Sequence, residues 1–91
     1  MENVISSLYK EAVDTFGIEN QLAVTMGELA ECSAEIAKSF IKQRELDEPA
    51  MLLEMADVCI MMSQMHYHYG DKLTNAINIK LKKVRGHLDA S

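Results

Sequence analysis

The stretch IENQLAVTMGELAECSAEIAKSFIKQ, residues 18–43, decides the fold. Its positions Leu22, Met26, Leu29, Ser33, Ile36 and Phe40 are spaced four and three residues apart in alternation, the period of one face of an α-helix. The stretch from Pro49 to Tyr69 repeats the pattern in Met51, Met55, Val58, Met62, Met65 and Tyr69. Outward from these two, residues 2–15 carry Val4, Ile5, Leu8, Ala12 and, just beyond, Phe16. Residues 71–88 carry Leu73, Ile77, Leu81, Val84 and Leu88. No segment alternates with period two long enough to make a strand. Breaks fall at Gly17, at Asp47-Glu48-Pro49 and at Gly70-Asp71. Pro49 suits a first helical turn with Asp47 or Glu48 as its cap, and Gly70 suits the residue that ends a helix, with Asp71 capping the next. Short connections make neighbouring helices run antiparallel. The chain is therefore expected to be all-α, an antiparallel bundle of about four helices.

Ninety-one residues hold one domain, 1–91, with an expected radius of gyration of roughly 12 Å if compact. A core this small leaves little spare stability, which favours a homo-oligomer. Nine basic residues against fourteen acidic ones give a net charge of −5, which argues against nucleic acid or an anionic membrane as partner. No apolar run approaches the ~20 residues that span a bilayer, and Met1-Glu2-Asn3 does not begin a signal peptide. A cytoplasmic location is expected, with Cys32 and Cys59 as reduced, small core residues. The methionines of the third segment are expected to fill gaps in the core.

The acidic residues fall in a pattern. Glu28 and Glu31 in the second segment, and Glu54 and Asp57 in the third, are i, i+3 pairs, each residue lying just before an apolar seam position. Taken alone, either pair is an ordinary solvated face. Two pairs at the same offset on adjacent antiparallel helices bring four carboxylates together, and a half-buried quartet of like charges is tolerable only if protonated or bound to a cation. An all-oxygen donor set suits Mg²⁺, with Mn²⁺ an alternative, better than zinc: His66 and His68 point to different faces, and the cysteines lack ligand spacing. Gln21, two turns before Glu28, either contacts a substrate or bonds across the bundle. Phe16, Phe40 and Tyr67 are the few aromatic candidates for stacking on a base.

Gly27-Glu28-Leu29-Ala30-Glu31, followed after twenty-two residues by Glu54-Met55-Ala56-Asp57, resembles the signature of the MazG-like branch of the all-α nucleoside triphosphate pyrophosphohydrolases. The run Gly17–Gln21 is similar to that family's entry into its first metal-bearing helix, and the likeness covers about residues 16–88. The resemblance implies Mg²⁺ held by Glu28, Glu31, Glu54 and Asp57, and a nucleoside triphosphate split into monophosphate and pyrophosphate. It also implies Glu28 or Glu31 as the base toward water, phosphate binding by Lys80, Lys83 and Arg85 of the last helix with Gln21 nearby, and a homodimer or homotetramer whose neighbouring subunit completes the pocket. The chain departs from the family pattern at Gly27, where many members carry a second acid, at Val84 in place of an asparagine and at Met61 in place of a tyrosine. Gly27 costs a helix about 1 kcal/mol against alanine, which points to a close approach by a backbone or a ligand. A weakened relative that holds nucleotide and metal without turnover, or a plain helical oligomerisation module, are the alternatives.

Overall fold

The computed structural model describes residues 2–41 and 47–91 and contains four helices: α1 (Glu2–Phe16), α2 (Ile18–Ile41), α3 (Glu48–Tyr69) and α4 (Asp71–Asp89). There is no strand among the described residues. The burial expected of Val4 and Ile5, and the expected end of the second helix at Gln43, fall outside the described residues. No described helix is long and apolar enough to cross a membrane.

The breaks act as their residue types dictate. Gly17 separates α1 from α2 with φ +84°, a conformation that costs a side chain dearly, and its N–H closes α1 onto Val13 O at 2.8 Å. Asp47 caps α3, its side chain accepting from the Ala50 N–H at 3.1 Å, with Pro49 in the first turn where its missing N–H costs nothing. Gly70, φ +57°, ends α3 by donating to His66 O. It also occupies the cap position of α4, so Asp71 is the first helical residue there rather than the expected cap. A bond of 2.8 Å between His66 Nε2 and Thr74 Oγ1 ties this corner together.

α1, α2 and α3 pack on one another, and among the described residues α4 packs on α3. Among the described residues the buried apolar core is small: Val13, Met61 and Met65. Of the seam methionines Met51, Met55, Met62 and Met65, only Met65 is buried; Met51 and Met55 are half-buried and Met62 is exposed, while Met61, off that seam, is buried. Cys32 is half-buried and Cys59 exposed, so neither is the core residue expected. Phe16, Phe40 and Tyr67 are exposed too.

The face of α2 that packs is not the apolar one. Gln21 and Thr25 are buried and Glu28 and Cys32 half-buried, whereas Leu22, Met26 and Leu29, one position further on, are exposed. Burying that polar face is affordable because it is internally bonded: Gln21 Nε2 donates to Gln64 Oε1 at 2.7 Å, and Thr25 Oγ1 to the Gln21 carbonyl at 2.7 Å. The Gln pair predicts a measurable asymmetry. Gln64→Leu strands the buried Gln21 amide and should cost about 1–3 kcal/mol in urea unfolding, while adding Gln21→Leu should recover most of the loss.

The radius of gyration is 16.1 Å, well above the compact value expected. The architecture is the expected all-α arrangement of four helices, with α4 its least covered member: all its residues but Leu73 and Thr74 are exposed.

Candidate metal centre

The Gln21–Gln64 bond sets the register of α2 against α3. Seven residues forward on α2 and seven back on α3, Glu28 comes opposite Asp57, and three further on Glu31 comes opposite Glu54. At this antiparallel register Glu28 of the first pair meets both members of the second, three of the four expected acids. Glu28, Glu54 and Asp57 each offer a carboxylate oxygen, and these oxygens lie within 4.8 Å of one another. Glu31 is exposed and stands outside this trio.

The trio is strained electrostatically. Glu28 Oε2 and Glu54 Oε2 are buried and have no hydrogen-bond partner, a costly state for a carboxylate oxygen. Burial first, then the negative charges of Asp57, Glu31 and Glu54, raise the Glu28 carboxyl above its usual range. Glu31 is thus close enough for its charge to be felt at Glu28, though it shares no ligand geometry with the others. Three carboxylates this close, two of which carry a buried oxygen without a partner, could hold a metal ion.

A raised carboxyl pKa means that the folded chain binds this proton more tightly than the unfolded one. The Glu28 contribution to stability is therefore greatest below the unfolded value of 4.5 and is lost as pH rises through the raised folded value. Metal-free protein is expected to gain unfolding temperature on acidification from pH 7 toward that window, and Glu28→Gln should flatten the gain. Thermal unfolding followed by circular dichroism across pH checks both.

The remaining candidates are dispersed. Gln21 is engaged across the helix pair, the second of the two roles open to it. Lys80, Lys83 and Arg85 lie on α4 and are exposed. The Lys80 stem borders a shallow apolar hollow with Ile77, Leu81 and Val84, and the Arg85 guanidinium forks onto Asp89 at 2.7 and 3.0 Å. Among the described residues α4 packs against α3 and not against α2, which carries Glu28. A Cβ on Gly27 would meet nothing within 4 Å, so no backbone of this chain makes the close approach expected there. Met61 is buried against the Gln64 amide, its sulfur 3.7 Å from Nε2.

Sequence reasoning missed Gln64, which fixes the register. Its signal was present: a polar residue beside Met65 on an otherwise apolar helix calls for a polar partner, and Gln21 is available. Comparison of the chain with protein-family models, with curated proteins and with solved structures gives no match.

Proposed function

We propose that the chain is a Mg²⁺-dependent nucleoside triphosphate pyrophosphohydrolase, acting in the cytoplasm on an NTP or dNTP and working as a homodimer or homotetramer. The observation that supports it most is the convergence of Glu28, Glu54 and Asp57, with two buried carboxylate oxygens left without a partner. The MazG-like order and spacing of the acids supplies the reaction class.

On this reading Glu28, Glu54 and Asp57 hold the ion and Glu31 borders it. A bound dication neutralises triphosphate charge and makes a nearby water more acidic. Glu31, exposed and outside the trio, takes the proton from that water. Water adds at the α-phosphorus, the α–β anhydride bond breaks, and pyrophosphate leaves with the electron pair. Lys80, Lys83 and Arg85 meet the phosphates once α4, their own or a neighbour's, lies beside the acids.

The competing reading, a protein that holds nucleotide and metal without turnover, draws on the separation of α4 from α2 in one chain. Pyrophosphate release from a panel of ribo- and deoxynucleoside triphosphates with Mg²⁺ decides between them. At least one substrate turned over by wild type, and lost with Glu31→Gln, is the expected result. Binding without release on every member of the panel defeats the enzyme reading.

A further inference from the structure

The net charge of −5 is spread unevenly. α4 carries five of the nine basic residues and two of the fourteen acidic ones, a net charge of +3, which leaves −8 for the rest of the chain. Four of its cations, Lys80, Lys82, Lys83 and Arg85, fall within six residues that contain no acid. Net charge argues against an anionic surface as partner for the chain as a whole. Charges are screened over about 8 Å at physiological ionic strength, however, so a surface that meets α4 feels chiefly α4.

The same helix is apolar along one side. At about 100° per residue, Leu73, Ile77, Leu81, Val84 and Leu88 fall within an arc of about 80° and run for about 22 Å. All but Leu73 are exposed, Leu81 at 57%, and the helix holds no buried residue. Lys80 and Lys83 flank one edge of the arc and Arg85 the other. Asp71 and Asp89 lie outside it, Asp89 accepting from the Arg85 guanidinium at 2.7 Å, an exposed pair of little energetic weight. The Lys80 stem lies along the apolar hollow of Ile77, Leu81 and Val84, as a lysine does when its ammonium stays in water above an apolar surface.

α4 is held by one end. Among the described residues it packs on α3, and every residue beyond Thr74 is exposed. A helix of 19 residues packed so little is marginal in water, so a contact outside the chain stabilises it. A bilayer surface offers anionic headgroups above an apolar interior, which matches cations at the rim of an apolar arc. An apolar face and a basic patch together are also the two signals that stable membrane attachment requires.

We propose that α4 docks on an anionic lipid surface, with Leu81, Val84 and Leu88 at the acyl boundary and Lys80, Lys83 and Arg85 among the headgroups. The helix lies in the interface and does not span it. This is a station for α4 apart from the phosphate role of the same cations, and the two alternate rather than coincide. Lipid binding is read without nucleotide or turnover, so it and the enzyme reading can fail separately.

Vesicle co-sedimentation is the test. At about 0.15 M salt, wild type is expected to sediment with vesicles of equal parts phosphatidylcholine and phosphatidylserine, to stay in solution with phosphatidylcholine alone, and to be released at about 1 M salt. Each Lys or Arg near such a surface strengthens binding about fivefold, so Lys83→Glu should weaken it tenfold or more. Leu81→Glu should abolish it. Ile79→Ser, off the stripe, and Phe40→Ser, exposed on α2, should bind as wild type does. Circular dichroism without lipid shows which variants remain helical. Hydrogen exchange on wild type needs no substitution: the anionic vesicles should raise protection of the α4 amides and leave α2 unchanged. No sedimentation of wild type with the anionic vesicles, or equal sedimentation with both kinds, overturns the proposal. So does a helical Leu81→Glu protein that binds normally. Protection of α4 that is already full without lipid assigns the stripe to a protein surface instead, and likewise contradicts it.

Discussion

Glu54→Gln is expected to abolish Mg²⁺-dependent pyrophosphate release while making the metal-free protein more stable. Both effects have one cause. Glu54 contributes an oxygen to the trio, and its Oε2 is buried without a hydrogen-bond partner. Replacing the charge with an amide relieves its repulsion of Glu28 and Asp57, so the unfolding temperature without metal should rise by a few degrees. The same change removes a ligand. Loss of a group that merely steadies a metal ligand costs roughly 10–100-fold in affinity or activity, and loss of a ligand itself should exceed that. The opposite signs make the result diagnostic, because a variant that lost turnover by unfolding would lose stability as well. Glu31→Gln separates the roles: metal affinity should change little and kcat should fall with KM near the wild-type value. Steady-state kinetics and thermal unfolding, each with and without Mg²⁺, check the pair.

The largest effect on stability is expected at Met65. Among the described residues it is the most buried core side chain, 4% exposed, beside Val13 and Met61 as the other buried apolar members. Truncation to alanine removes three heavy atoms from the junction of the packed helices and leaves a space that so small a core refills poorly. About 2–5 kcal/mol is the ordinary cost. A chain of 91 residues has a total stability of order 5–14 kcal/mol, so Met65→Ala takes a large part of it. Leu53→Ala on the same helix, at a side chain 70% exposed, should change stability by no more than about 0.5 kcal/mol. Urea unfolding at one fixed chain concentration checks both, since any association would add its own free energy.

The helices were legible because their ends carry residues with few alternatives: Gly17 and Gly70 at positive φ, Asp47 and Pro49 at the start of α3. The face of α2 was not. Leu22, Met26 and Leu29 have the spacing of a buried seam, yet the packed residues are Gln21, Thr25 and Glu28. Periodicity reports where apolar residues lie, and it cannot tell a core inside the chain from a surface awaiting another molecule. Nor does it show that Gln21 and Gln64 meet, which is what makes the polar face bury. α3 added to the ambiguity, being apolar on several sides because α1, α2 and α4 all touch it. Of the acids, the meeting of Glu28, Glu54 and Asp57 was legible from paired spacing on antiparallel helices. Glu31 was not: the same i, i+3 step that keeps Glu54 and Asp57 together leaves Glu31 outside the trio, which spacing alone does not distinguish.

A direct measurement of the acidic cluster is titration of Mn²⁺ into metal-free protein at pH 7, with the free ion followed by electron paramagnetic resonance. Saturable uptake by wild type, sharply weakened in both Glu28→Gln and Glu54→Gln, is the predicted result. Uptake that is absent, or unchanged in those two variants, would contradict the account, because the three carboxylates would then be held together without needing a cation.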